Sequence, residues 1–237
     1  MRLNLNLPTI FFKARSKEKE ILDLGPDFYS VKEYHHCQTI LFKINKLLGI
    51  FSHSKRFLKQ FPPDITVLDV GCGGGLSLLN LSVSFPKINF IGCDISKYAI
   101  KMAENESKNY PSNKITFNLQ HQQSLNLPEN SVDIILATLV CHHIDDTELG
   151  NFFQEALFIS RKAVLVNDLH RNMIPYLFYK MFSPLFRNRL INYDGLISIK
   201  RGFKREEICL LLEKANINHF TLKWRFPFCW SLILWKK

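Results

Sequence analysis

The chain has 237 residues, 46% hydrophobic and 22% charged, with a formal net charge of +10. These proportions exclude a disordered or fibrous chain and fit one globular domain, or one domain carrying a lid. The positive balance suits anionic neighbours, but Lys and Arg fall in short, scattered clusters (13–19, 187–189, 200–205, 236–237) and the aromatics fall mostly at core spacing, so a nucleic-acid partner is disfavoured.

Residues 1–12 alternate Asn and Pro with apolar residues and show no leader cleavage site. No apolar run reaches the length of a membrane span. The six cysteines (37, 72, 93, 141, 209, 229) form no Cys-x-x-Cys pair and no zinc-type spacing, so a reducing, cytoplasmic location is expected. Residues 1–63 read as a helical extension, separate from the rest of the chain, with apolar positions at Ile21, Leu22, Leu24, Ile40, Leu41, Ile44, Leu47 and Leu48. Pro62-Pro63 closes it.

From Ile65 short β-branched runs alternate with amphipathic stretches. Strands are predicted at 66–70, 89–93, 115–118, 132–137 and 163–167, with helices at 76–84, 97–109 and 147–159 between them. Strands separated by helical stretches imply βαβ units and a mostly parallel sheet. The last two strands, 220–226 and 230–234, are too close for a crossover and should pair as a hairpin. Between the fifth strand and a helix near Lys204, residues 169–203 carry Met173, Tyr176, Phe178, Tyr179, Met181, Phe182 and Phe186. That content is too apolar for a linker and predicts a helical lid over a pocket. The fold class is therefore α/β: a Rossmann-like seven-stranded sheet with an antiparallel last strand, spanning 64–237, with the extension at 1–63 and the lid at 169–203.

The run 67–75, VLDVGCGGG, carries most of the functional information. A buried strand ends, the chain turns through glycines, and a helix starts at Leu76, which is where open α/β sheets bind ligands. A dinucleotide site wants glycine where Leu76 stands, and no Lys-Ser or Lys-Thr comes after the glycines for a phosphate loop. Asp69, two places before the first glycine, suits a cationic ammonium and not a pyrophosphate. S-adenosylmethionine has an amino-acid moiety and a sulfonium, and no phosphate. Asp94, closing the second strand about twenty residues beyond the glycines, is placed to accept both ribose hydroxyls, and Ser96 is the better helix cap.

With LPENSVDII at 127–135, GCDIS at 92–96 and HHI at 142–144, the chain resembles class I methyltransferases of the type 11 group, similar to the ubiquinone/menaquinone C-methyltransferases. The likeness is best over about 65–170. More loosely, EKEILD at 18–23, INKLLG at 44–49 and NDLHR at 167–171 resemble a bacterial subgroup found beside type III polyketide synthases. The resemblance implies that Asp69, Gly71 and Gly73 face the methionine part of S-adenosylmethionine, Asp94 the ribose, and Gln123 the adenine, where the family often has Asp. It also places Thr138 near the methyl group, and the cofactor-binding set is completed by Cys72, Ile95 and Ser124.

Methyl transfer needs a base only if the acceptor must lose a proton. His170 and His142 are the candidates for a base or acceptor-orienting group, and Asp168 lies two residues before His170. The resemblance gives His143 a loop-fixing role. No metal is expected, because adjacent histidines rarely share an ion and no third ligand is spaced for one. Residues 137–140 read Ala-Thr-Leu-Val, without the N/D-P-P-Y/F element of related amine methyltransferases, which disfavours nucleobase or glutamine-amide methylation. The expected acceptor is a small apolar molecule, phenolic or polyketide-like, methylated on oxygen or carbon. The alternatives are an RNA- or protein-modifying enzyme, or a silent cofactor-binding protein suggested by Gln123. Peripheral membrane contact through Phe226, Phe228, Trp230, Trp235 and the terminal lysines is conceivable, but these residues read more simply as the last strands and their core contacts. The oligomeric state is open.

Overall fold

The computed structural model describes residues 12–110, 114–122 and 124–236. Ser30 starts α1 (Val31–Leu47) with a reciprocal capping box: its hydroxyl accepts from Glu33 N at 3.2 Å and Glu33 accepts from Ser30 N at 2.9 Å. Gly49, at φ +71°, redirects the chain into α2 (Ile50–Leu58). Next come β1 (Thr66–Val70), α3 (Leu76–Ser84), β2 (Asn89–Asp94), α4 (Lys97–Ser107), β3 (Ile115–Leu119) and β4 (Val132–Thr138). The second half holds α5 (Asp146–Ile159), β5 (Ser160–Leu169), α6 (Met173–Phe182), α7 (Arg189–Arg201), α8 (Arg205–Lys214), β6 (Phe220–Arg225) and β7 (Cys229–Trp235).

Among the described residues the sheet has seven strands in the order β3-β2-β1-β4-β5-β7-β6. The first five are parallel, and β7 runs antiparallel to both β5 and β6. The predicted sheet and its terminal hairpin are thus present. The fifth strand is longer than the apolar run 163–167 suggests, because β7 pairs along it to Leu169↔Cys229 and carries Asp168 into the strand. Strand order reverses between β1 and β4, so Val70 and Thr138 open onto the switch-point crevice.

The two faces of the sheet follow the period-two rule of strands. Leu68, Val70, Ile135, Ala137, Val164 and Val166 pack against Leu149, Phe152 and Phe153 of α5 and Ile208 and Leu212 of α8. Their chain neighbours Val67, Ile134, Leu136, Ala163 and Leu165 face the other way, against Leu78 and Leu81 of α3 and Phe57 and Leu58 of α2. Each buried Val, Leu, Ile or Phe among them contributes about 1.5–3 kcal/mol of transfer free energy. Trp230 is buried in the first core and Trp235 packs on Phe57 in the second, whereas Phe226 is exposed.

The extension is not a separate module. α2 is part of the sheet core, and Tyr34, Cys37 and Ile40 of α1 pack with Ala99 and Met102 of α4 and with Leu190 and Ile191 of α7. Nor is its first part helical as the periodicity suggests. Leu22–Leu24 forms a single 3-10 turn, because Gly25 and Pro26 break the run. Residues 12–24 instead lie as a strap tied by side chains. The buried Arg171 donates to the carbonyls of Phe12 (3.2 Å), Lys13 (3.3 Å) and Gly202 (2.6 Å), and pairs with Glu207. The lid is helical, as expected: α6, a short 3-10 turn over Ser183–Phe186, and α7. No helix of the described residues is long and apolar enough to cross a membrane.

Candidate active site

Asp69 of β1 is buried beneath the strand end at the glycine turn and is not among the residues that line the cavity; burial, then the charge of Asp94, pushes its carboxyl up to about 7. Gly71 and Gly73 turn the chain at φ +66° and +55°. A Cβ on Gly71 would lie 2.5 Å from Val140 Cγ2, and one on Gly73 would lie 2.8 Å from Gln38 Oε1. Cys72 is held by its amide, which donates to Cys93 O at 3.0 Å. Asp94 braces the turn: it accepts from Gly73 N at 2.9 Å and Ser96 N at 2.8 Å. Burial pushes its carboxyl above the usual range, against the pull of those amides. Ser96 caps α4 by accepting from Ala99 N, leaving Asp94 to the crevice.

The remaining predicted donor-site residues are Ile95, Ser124, Thr138 and Gln123. The first three line the same cavity as Gly71, Cys72, Gly73 and Asp94. Ser124 there donates to Glu155 at 2.6 Å. Gln123, expected at the adenine, lies outside the described residues.

The extension adds groups that sequence reasoning did not assign. Gln38 of α1 accepts from Gly74 N at 3.4 Å. Tyr29 and Tyr34 stack at 5.8 Å and meet Tyr98 at 6.2 and 6.3 Å, beside Asp94. Burial and the Asp94 charge push the Tyr34 hydroxyl upward.

After β4 the chain makes a 3-10 turn, Cys141–His143, and presents two imidazoles 4.2 Å apart. His142 Nδ1 lies 2.7 Å from Asp168 Oδ1 and His143 Nδ1 lies 2.7 Å from Asp23 Oδ1. The opposite nitrogens both face Glu20 of the strap: His142 Nε2 to Oε1 at 3.6 Å and His143 Nε2 to Oε2 at 3.9 Å. Glu20 is 3% exposed and accepts from Ser198 Oγ at 2.8 Å. Burial opposes every charge here, but Asp168 and Glu20 outweigh it at His142 and raise its pKa to about 9, while the imidazoles hold Glu20 below the usual carboxylate range. Burial likewise opposes the Asp23 charge, yet His143 and Arg201 draw it down to about 2. Arg201 fixes the turn by donating to the carbonyls of His142 (2.8 Å) and His143 (2.7 Å) and to Asp23 (2.6 Å). Arg15, lying 4.2 Å over Phe203, adds bonds to the carbonyls of His142 and Ile144. The third acidic partner that spacing did not offer the histidine pair is therefore present. EKEILD, HHI and NDLHR, three separate motifs of the sequence, meet in this one cluster.

His170 stands apart from that cluster but on the same cavity. Trp224 Nε1 donates to its Nδ1 at 3.1 Å, and Trp230 meets the ring edge-on at 5.3 Å. Indole N–H is only a donor, so Nδ1 must accept and the neutral ring carries its proton on Nε2. Burial, then Arg171 and Lys204, lowers its pKa and keeps it neutral.

Together these walls border a cavity of about 1860 Å³, lined by the glycine turn and also by Leu41, Ile44, Phe178, Phe182, Phe186 and Phe228. The volume exceeds that of a single ordinary ligand site.

Residues 67–162 match the family model described as "Methyltransferase domain". A curated relative, the release factor glutamine methyltransferase of Staphylococcus aureus, is 38% identical over 56 residues, which are 24% of this chain and only 20% of the relative. Among solved structures, the chain is similar to a SAM-dependent methyltransferase from Aquifex aeolicus (TM-score 0.59, 19% identity, covering 77% of this chain and 88% of that one). It is also similar to the plantazolicin methyltransferase BpumL (0.62, 15%, 90% and 91%). A third is human N-acetylserotonin methyltransferase (0.61, 15%, 87% and 56%). Residues 67–162 are thus similar to a methyltransferase domain, and the seven-stranded sheet is the fold of the S-adenosylmethionine-dependent methyltransferases among these solved structures.

Proposed function

We propose that the chain is an S-adenosylmethionine-dependent methyltransferase acting on oxygen or carbon of a small apolar acceptor of phenolic or polyketide-like chemistry, in keeping with the type 11 resemblance. The observation that carries the reading is the cavity, which joins a donor site to an aromatic wall. The residues present fit the donor. Only glycine leaves the main chain of the turn open at positions 71 and 73, and two carboxylates, the buried Asp69 and the half-buried Asp94, suit an ammonium and a ribose diol. When bound, the donor supplies a methyl group already activated on a sulfonium, so the protein's part is alignment and exclusion of water. Ionised Asp69 balances the ammonium, and Asp94 keeps lone pairs for hydroxyls beyond its two amide bonds. Thr138, at the end of β4, borders the space between donor and acceptor. Phe178 and Phe182 hold the acceptor's apolar body, and His170, pinned by Trp224, offers Nε2–H to an acceptor oxygen.

A protein or RNA acceptor is the second reading, favoured by the 56-residue likeness to the release factor methyltransferase and the +10 charge. Against it stands Ala-Thr-Leu-Val at 137–140, which offers no side chain to hold a planar nitrogen.

Calorimetric titration with S-adenosylmethionine and with NADH, on the natural chain and on Asp94→Ala, tests the donor. Micromolar binding of the methyl donor alone, lost in the variant, is expected; absence of donor binding overturns the reading. A screen of phenolic acceptors comes next, and turnover only on RNA or protein would overturn the acceptor class.

A further inference from the structure

We infer that Glu20, His142 and His143 form a binding site for one divalent transition-metal ion on the acceptor side of the cavity. The donor set is two imidazole nitrogens and one carboxylate, all facing a common point, with the ligand atoms within 4.8 Å of one another. Two imidazoles and a carboxylate with further positions open suit Zn²⁺, Fe²⁺ or Co²⁺.

Distances separate an ion site from a hydrogen-bonded cluster. Both Nδ1 atoms make 2.7 Å contacts, with Asp168 and with Asp23. Both Nε2 atoms stand 3.6 and 3.9 Å from Glu20, outside hydrogen-bond range. A tetrahedral ion with bonds of about 2.1 Å sets its ligand atoms about 3.4 Å apart. The side chains therefore need to close by a few tenths of an ångström to about 1.4 Å.

The surroundings are those of a metal site too. Ligating histidines characteristically give their other N–H to a carboxylate, which fixes tautomer and ring angle. Asp168, itself fixed by accepting from Leu169 N at 2.7 Å and His142 N at 3.2 Å, does so for His142, and Asp23, held by Arg201, does so for His143. Ser198 orients Glu20. The carboxylates of Glu20, Asp23 and Asp168 outnumber the charge of Arg201, so a dication balances the cluster without protonating either imidazole at Nε2. All three ligands line the cavity. An ion held there has positions left for a hydroxyl or enol oxygen, the acceptor class proposed above, and that part of the inference rests on the methyltransferase reading. The ion site itself does not.

The test uses the full chain stripped with chelator and titrated anaerobically with Co²⁺, with neither methyl donor nor acceptor present. Expected are one equivalent bound, visible ligand-field bands, and displacement by Zn²⁺. Glu20→Gln, nearly the same shape, should weaken binding at least tenfold, and Asp168→Asn by about 10–100-fold through His142. Circular dichroism establishes that each variant is folded. Failure of the unaltered chain to take up one equivalent of either ion overturns the inference, as does undiminished binding by folded Glu20→Gln. Neither outcome touches donor binding, so failure here is distinguishable from failure of the methyltransferase reading.

Discussion

Replacing Gly71 by alanine probes the closest approach in the donor site, between the glycine turn and the loop after β4. Two costs add. At φ +66° an L-residue pays about 1–2 kcal/mol in the left-handed region. The new Cβ would also stand 2.5 Å from Val140 Cγ2 and 3.2 Å from Cγ1, and overpacking of this kind costs about 1–3 kcal/mol, with a β-branched neighbour poorly able to rotate away. The total, about 2–5 kcal/mol, lowers Tm by roughly 4–20 °C in a chain of this size. Thermal unfolding followed by circular dichroism without ligand reads it directly. The double variant Gly71→Ala/Val140→Ala removes the clash and keeps the backbone strain, so it should be more stable than the sum of the single losses. A Gly71→Ala Tm within about 2 °C of the parent, or strictly additive losses in the double variant, would refute the account.

Asp69 gives a pH prediction whose sign reverses with ligand. Its carboxyl is at about 7 in the folded chain against an ordinary value of 3.8, so the ligand-free fold holds that proton more tightly and loses stability as pH rises through this window. Donor binding needs the ionised form: affinity should rise about fivefold from pH 6 to 7 with proton release, both absent in Asp69→Asn, and a flat calorimetric profile for the parent contradicts the assignment. Trp224→Phe frees His170 Nδ1, so imidazole ¹⁵N spectra should show the Nε2–H tautomer in the parent and a mixture in the variant; a parent ring protonated on Nδ1 would sink that role. Arg171→Met leaves the carbonyls of Phe12, Lys13 and Gly202 and the Glu207 carboxylate without their buried donor. A loss of about 3–5 kcal/mol is expected, with faster amide exchange at Ser16, which donates to Lys200 O at 3.1 Å; unchanged exchange would show that the strap is held by something else.

What the sequence disclosed was what local pattern can encode. Val67, Leu68 and Val70 ahead of four near-contiguous glycines announce a buried strand entering a tight turn, and the two closing strands leave no room for a crossover, which dictates their hairpin. Asp94 was legible because its role depends on a fixed offset from that turn. Glu20 and Asp23 were not, since their partners lie 120 or more positions away and no periodicity links a strap to a loop. Gln38 and Tyr34 sit on an amphipathic helix where either face is a reasonable ligand face until α4 and α7 take one of them. The place of α2 in the core was not legible either: its Ser, His, Lys and Arg alternate with Phe51, Phe57 and Leu58, all buried, the last two because the sheet covers them.

The strap has a consequence for the order of events during synthesis. Residues 12–24 leave the ribosome long before the groups that bind them: Arg15 waits for the carbonyl of Arg201, 186 positions later, Glu20 for Ser198, and Phe12 for Arg171. Contacts of such separation form late, because the loop-closure entropy is lost before any contact rewards it. Until α7 emerges, the nascent βαβ half has its glycine turn but no roof, and the His142–His143 turn lacks two of the guanidinium donors that hold its carbonyls. The two halves of the cavity therefore mature at different times, the donor half with the first strands and the acceptor half only when the strap is met by α7.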